Sequence, residues 1–198
     1  AAGALSASGT GVSVMTSPGI WGFAVASDPS SQDLEELQFT LGEGPCIDAM
    51  ATNRPVLVAD VSDGARGRWP MYASAVHKYG VRSVFAFPMR TGEVSLGVLD
   101  VFRARTGAMS QEDIAQSLTF AEIARITMLD GQDTAGAGAM PEGLDEAPGY
   151  RAEVFQAQGM LMVQIGVSLD EALLRMRAYA YAEERPLAEV ARDIVNRT

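Results

Sequence analysis

The stretch VRSVFAFPMRTGEVSLGVLDVF, residues 81–102, reads as two β-strands, Val81 to Met89 and Ser95 to Phe102, around the turn Thr91-Gly92-Glu93. Apolar, β-branched and aromatic residues fill both arms, and a glycine sits in the connection. In the first arm Ser83, Phe85, Phe87 and Met89 share one face by the two-residue period of a strand. In the second, Asp100 stands in an otherwise apolar run from Leu96 to Phe102, where a buried carboxylate needs a partner. Working outward, Gly11 to Met15 and Gly19 to Ala26 form a second hairpin about Ser17-Pro18-Gly19, and Pro55 to Val58 supplies a fifth strand. A short helix is expected from Gln32 to Phe39, with Leu34 and Leu37 three apart and Asp33, Glu35 and Glu36 outward. Gly42 and Gly44 frame a tight turn ahead of Pro45, which suits the first turn of a helix. Another helix spans Trp69 to Tyr79 and stops at Gly80. Ser110 caps a helix that runs to about Leu129, with acids in its first turn. The fold class expected for this part is α+β: one antiparallel sheet flanked by helices.

The stretch GQDTAGAGAMPEGLDEAP, residues 131–148, holds four glycines and two prolines, lacks aromatics and has neither period, so it reads as a flexible linker. It divides a domain over residues 1–130 from an all-α tail over 149–198. The tail reads as three helices. The first ends at Gly166. The second opens on Ser168-Leu169-Asp170-Glu171, a match to a capping box, and has Ala172, Leu173, Met176 and Ala180 on its apolar side. The third starts at Pro186 and carries Leu187, Val190, Ala191, Ile194 and Val195. About 50 residues make a thin core, which calls for a partner surface. The apolar excess at Val154, Phe155, Met160, Leu161, Met162 and Val163 makes a homodimer the expected assembly.

Composition narrows the chemistry. Of 198 residues 47% are hydrophobic and 20% charged, enough for a packed core. Fifteen basic residues against 25 acidic ones give a formal net charge of −10, which argues against non-specific grip on a phosphate backbone. The tail is nearly balanced, with six basic and seven acidic residues over 150–198. Cys46 is the only cysteine and His77 the only histidine, so an internal disulfide, a zinc cluster and a pair of imidazoles on one metal are all excluded. No metal, cofactor or catalytic residue is expected. No apolar run approaches the roughly 18–20 residues of a membrane span, and a cytoplasmic location is expected. The chain opens on Ala1-Ala2-Gly3 without an initiator methionine, read as a trimmed start.

The tail segments Val154–Met162, Gly166–Leu173 and Arg185–Ala191 resemble the ANTAR family, a three-helix RNA-binding module of bacterial antitermination regulators. The first part is similar to a GAF sensor domain, above all at Leu41-Gly42-Glu43-Gly44-Pro45-Cys46, at Val81–Pro88 and at Gly97-Val98-Leu99-Asp100. A GAF sensor ahead of an ANTAR module is an arrangement associated with actinobacterial regulators. The resemblance implies a dimer that binds paired RNA hairpin loops in a nascent transcript and opposes termination. It places RNA contacts at Gln158, Arg175, Tyr181 and Arg185, and less directly at Arg177 and Arg192. Many members carry Lys where Gln158 stands.

Each marked residue also has a plainer reading. RNA loops are read by aromatic stacking and arginine contacts, whereas the tail arginines can equally be a solvated face beside Glu183, Glu184, Glu189 and Asp193. Trp21, Phe23, Trp69, Tyr72, Phe85, Phe87, Phe102 and Asp100 are a candidate small-molecule pocket of the sensor, and core packing explains the aromatics as well. Cys46, just after a helix start, is either a redox thiol or a buried apolar residue, the latter favoured. A GAF-type methionine sulfoxide reductase resembles the sheet but relies on several cysteines. An alternative to RNA binding is a dimerisation or protein-interaction module with a ligand-binding sensor.

Overall fold

The computed structural model describes residues 3, 5–17, 20–65, 67–92, 94–135, 149–183 and 185–197; the side chains of 15–17, 20–24, 64, 131–135 and 149–151 are outside the described set. The chain divides into two compact units, residues 1–145 and 146–198.

In the first unit five strands form one sheet: β1 (Gly9–Ser17), β2 (Ile20–Ala26), β3 (Val56–Val58), β4 (Ser83–Thr91) and β5 (Val94–Arg103). Their order is β2-β1-β5-β4-β3, and every neighbouring pair is antiparallel. Helices α1 (Pro29–Leu41), α2 (Pro45–Thr52), α3 (Val61–Gly64) and α4 (Pro70–Val76) lie between β2 and β4 in the chain, and α5 (Gln111–Ala135) follows β5. The α+β class with a flanked antiparallel sheet is therefore the observed one. α1 starts earlier than the apolar period indicates because Asp28 accepts a hydrogen bond from the Ser31 amide at 3.0 Å and Pro29 occupies the first turn. The segment Trp69 to Tyr79 is α4 followed by a 3₁₀ turn, His77–Tyr79, and closes at Gly80 with φ 73°. α3 is a single turn that no period marks. α5 passes the expected end at Leu129 and reaches Ala135; residues 136–148 of the expected linker lie outside the described residues.

Strand parity sorts the core. The even residues Val84, Ala86, Val98 and Phe102 join Leu34, Cys46, Trp69, Tyr72 and Val76 on the face covered by α1–α4. The odd residues Phe85, Phe87, Met89, Leu99 and Val101 join Leu5, Met109 and Ala121 on the α5 face. Arg103 is also odd, and it is the only buried cation among the described residues. Its guanidinium donates to the Leu5 carbonyl at 2.7 Å and to Asp113 Oδ2 at 2.8 Å, and lies 5.4 Å from the centre of the Phe85 ring.

The second unit is three helices: α6 (Gly149–Ile165), α7 (Leu169–Ala182) and α8 (Leu187–Asn196). Gly166 ends α6 at φ 67°. Val154 and Ala157 of α6, Ala172, Leu173, Met176 and Ala180 of α7, and Leu187, Val190 and Ala191 of α8 are buried. The capping box is half formed. Ser168 accepts from the Glu171 amide at 3.2 Å, but the Glu171 carboxylate is taken by Arg175 Nε at 2.8 Å instead of reaching back.

Arg103→Met keeps the aliphatic stem but leaves the Leu5 carbonyl and Asp113 without their donor. An expected loss of about 2–3 kcal/mol in the first unit is checked by chemical denaturation at neutral pH. The Arg103 hydrogen bond holds the Asp113 carboxyl below its usual range. Its contribution is therefore present above the unfolded carboxyl value and lost as pH falls through the lowered one. The deficit of the variant should accordingly shrink below about pH 4.

Candidate functional site

Beneath α1 the first unit buries a polar cluster. The inward stripe of α1 is Ser31, Leu34, Glu35, Gln38 and Phe39, a regular helical face that is half polar. Glu35, expected to point outward, is 2% exposed. The period alone is right for both readings; burial of a carboxyl here rests on partners from the sheet. Ser13 of β1 donates its hydroxyl to Glu35 Oε2 at 2.5 Å. Asp100 of β5 is fully buried and hydrogen-bonded to Glu35. It stands opposite Gly11 in β1 and Ala86 in β4, two small residues that leave room for the pair. Gln38 Nε2 donates to Asp100 Oδ2 at 2.9 Å, and Gln38 Oε1 accepts from the Cys46 amide at 2.8 Å.

Desolvation raises the Asp100 carboxyl from 3.8 to about 6. Burial, then the charges of Asp100 and Glu35, push the Cys46 thiol well up. A thiolate helped by a helix start is therefore not what the structure holds; Cys46 is buried and protonated. The same burial and the same two acids raise the Tyr72 phenol. The neighbouring loop is explained by its own bonds. Gly44 has φ 141°, and a Cβ there would meet the Gln38 carboxamide. Glu43 Oε1 accepts the amides of Met71 and Tyr72 at 2.7 and 2.8 Å, capping α4.

The aromatic set expected to line one pocket is split by the sheet. Trp69, Tyr72 and Phe102 share the Asp100 face, whereas Phe85 and Phe87 lie on the α5 face. All five are buried core. The side chains of Trp21 and Phe23 lie outside the described residues. Glu35, Gln38 and Ser13 were not singled out from the sequence. Their signal was Asp100 itself, which demanded partners, combined with the 31-34-35-38 spacing.

In the helical unit a groove of about 360 Å³ opens between the three helices. Leu161, Met176 and Val190 are among its apolar lining, and Arg175, Tyr179, Arg185 and Asp193 are its polar and aromatic lining. Arg175 pairs with Glu171; Arg185 reaches Asp193 at 2.7 Å and Glu189 at 3.7 Å. Two residues along a helix turn by about 200°, so Arg177 and Tyr181 belong to another side of α7. Tyr181 is 64% exposed there, and burial lowers the proton affinity of Arg177. Arg192 pairs with Glu153 at 3.4 Å. Gln158 is buried and donates to the Leu169 carbonyl at 2.8 Å, so it braces α6 against the start of α7 and is not presented to a ligand. The six residues expected to contact RNA thus form one pair at a groove, Arg175 with Arg185, and three that stand elsewhere, with Gln158 inside. Tyr179, in the groove, completes the first group.

The architecture is a flanked five-stranded antiparallel sheet followed by a separate three-helix unit. Residues 5–129 match the GAF domain family, to which the chain belongs, and residues 142–195 match the ANTAR domain. The chain is similar to the GAF domain of a phosphoenolpyruvate-protein phosphotransferase from Coxiella burnetii, at 16% identity and a TM-score of 0.54, over 67% of this chain and 78% of that one. For the corresponding Acinetobacter domain the identity is 13%, the TM-score 0.51, and the coverage 67% and 77%. The GAF domain of the cyanobacteriochrome TePixJ gives 14%, 0.51, 65% and 82%. These likenesses establish the fold. No curated protein matches the chain. Among the described residues no helix is long and apolar enough to cross a membrane.

A Cβ at Gly11 would fall on the Glu35 carboxyl, which is enclosed and held by Ser13. Gly11→Ala is expected to cost about 1–3 kcal/mol in the sensor unit. In a Glu35→Ala background the same change should cost much less, because the obstructing carboxyl is gone. Equal costs in both backgrounds, by urea denaturation, would refute the packing constraint.

Proposed function

We propose that the protein is a signal-responsive regulator whose ANTAR unit binds paired RNA hairpins in nascent transcripts and opposes termination, with the GAF unit as the sensor. The observation that carries this reading is the groove in which Arg175, Tyr179 and Arg185 come together beside an apolar lining. A planar unstacked base suits such a groove, with stacking on the phenol and guanidinium contacts to phosphate or base edges. The exposed apolar residues Val163, Leu169 and Leu174 support a homodimer, and a dimer presents two grooves to two loops.

Fluorescence anisotropy with a double-hairpin RNA and its single-hairpin halves tests this reading. Arg175→Ala and Arg185→Ala are each expected to weaken double-hairpin binding by roughly tenfold to a hundredfold, about 1.5–3 kcal/mol. Arg185→Ala also removes the tie to α8, so helicity and melting are recorded alongside. Arg90→Ala, an exposed cation of β4, is the control and should leave affinity unchanged. Equal small losses in all three would sink the groove as the RNA face. Light scattering should give the mass of a dimer, and Leu174→Asp should lower it. A monomer mass across micromolar concentrations would overturn the assembly, and a dimer without RNA affinity would favour the protein-interaction reading.

A further inference from the structure

The cluster under α1 concentrates acidic groups in the core. Glu35, Cys46 and Asp100 each offer one ligand atom, and these atoms all lie within 4.8 Å of one another, fully enclosed. Two buried carboxyls and a thiol face one another with no buried lysine, arginine or histidine on that side of the sheet among the described residues. Arg103, the one buried cation among the described residues, is on the opposite face. Two further polar atoms in the same place have no hydrogen-bond partner: Asp100 Oδ1, and the hydroxyl of Tyr72, a side chain 0% exposed whose phenol feels the charges of Asp100, Glu35 and Cys46. Buried polar groups ordinarily make their hydrogen bonds, so two unmade ones at a cluster of shared acids suit a further occupant.

We propose that Glu35, Cys46 and Asp100 are the ligands of one divalent transition-metal ion of the Zn²⁺ type, with the Tyr72 hydroxyl beside it as a fourth donor or as the partner of a bound water. A water alone would satisfy Tyr72 and Asp100 Oδ1, and a proton shared by Glu35 and Asp100 removes one of the two carboxylate charges; a cation answers the remaining charge together with the unmet polar atoms. The thiol selects a borderline or soft ion over Mg²⁺ or Ca²⁺, which take oxygen ligands in larger numbers. Around a four-coordinate zinc, with bonds of about 2.0–2.3 Å, ligand atoms are separated by roughly 3–4 Å, so the present spacing needs little closure. The ligands are already oriented from behind. Gln38 holds Asp100 Oδ2, Ser13 holds Glu35 Oε2, and the Cys46 amide is fixed by the far end of the same Gln38. Such outer hydrogen bonds are the ordinary support of metal ligands. Gly11 contributes by having no Cβ where the Glu35 carboxyl must stand. Binding displaces the thiol proton and any proton on the carboxyl pair, so affinity should rise with pH. Counting only cysteine and histidine hides this set, because two of its three members are carboxylates that lie 65 residues apart in the chain.

The test uses the full chain, unfolded with denaturant and chelator and refolded with Co²⁺ as the probe, since the enclosed ligands load most readily during folding. One equivalent of Co²⁺ is expected, with a thiolate-to-cobalt charge-transfer band that Zn²⁺ abolishes by displacement. The chain has one cysteine, so such a band can only come from Cys46 and the result needs no variant. Gln38→Ala should weaken Co²⁺ binding roughly 10- to 100-fold while keeping the band at saturation. Cys46→Ser should lose the band. A folded wild-type chain without the band overturns the proposal. So does tight binding that leaves the band absent, which would place the ion on the acidic surface. Neither outcome bears on RNA binding by the helical unit, which is measured separately.

Discussion

One carboxamide holds the sensor unit in its shape. Gln38 sits on α1, gives its amide hydrogens to Asp100 on β5, and takes the amide of Cys46 at the start of α2. Three elements distant in sequence are thereby fixed in register by a single buried side chain. The bond also offsets part of the cost of placing Asp100 in an apolar strand, which the desolvated carboxyl would otherwise carry alone. The conformation of the following loop is a consequence. Gly44 must lack a side chain because Gln38 occupies that space, and Glu43, between two glycines, is free to reach α4 and cap it.

The sheet separates two electrostatic regimes only a few ångströms apart. Asp100 and Arg103 are three residues apart on β5, so parity sends them to opposite faces. On the α5 face Arg103 is answered by Asp113, the Leu5 carbonyl and the Phe85 ring. On the other face two acids and a thiol answer one another through Ser13 and Gln38. The first arrangement pairs its charge, with Arg103 Nε left over as a donor; the second has no cation among the described residues and leaves Asp100 Oδ1 and the Tyr72 hydroxyl without a partner. Had the two been on one face, Arg103 would have paired with Asp100 and the cluster would be an ordinary salt bridge.

This distribution also explains what could be read from the residues and what could not. The strands and most helices were legible because their apolar residues follow a two- or 3.6-residue period, and the second-unit core, from Ala172 to Ala191, was named residue by residue. Glu35 was misread because hydrophobic patterning assigns faces by apolar residues, and the inward stripe of α1 is half polar. The aromatic set stayed open between pocket and core for a different reason. Period two shows that Phe85 and Phe87 share a face, but not which helices cover it, and that depends on where α5 docks. The burial of Gln158 was not legible because a resemblance transfers a position without its surroundings. The Asp100 anomaly was visible, yet its partners come from β1, α1 and α2, and no local pattern joins those.

In the helical unit three of the arginines are already engaged, and this bears on how RNA affinity would arise. Arg175, Arg185 and Arg192 pair with Glu171, Asp193 and Glu153 respectively. A phosphate approaching any of them replaces a carboxylate instead of meeting a free charge. With six basic and seven acidic residues in residues 150–198 there is little net attraction at a distance, so non-specific binding is disfavoured and long-range steering is weak. What remains is fit. An exchange of one anion for another yields net binding only where the phosphate or base also gains the Tyr179 ring and the apolar lining, which the carboxylates do not use. Specificity would follow from the same cause as weak general affinity: Arg175, Arg185 and Arg192 are held in place by carboxylates that a well-shaped ligand would have to displace.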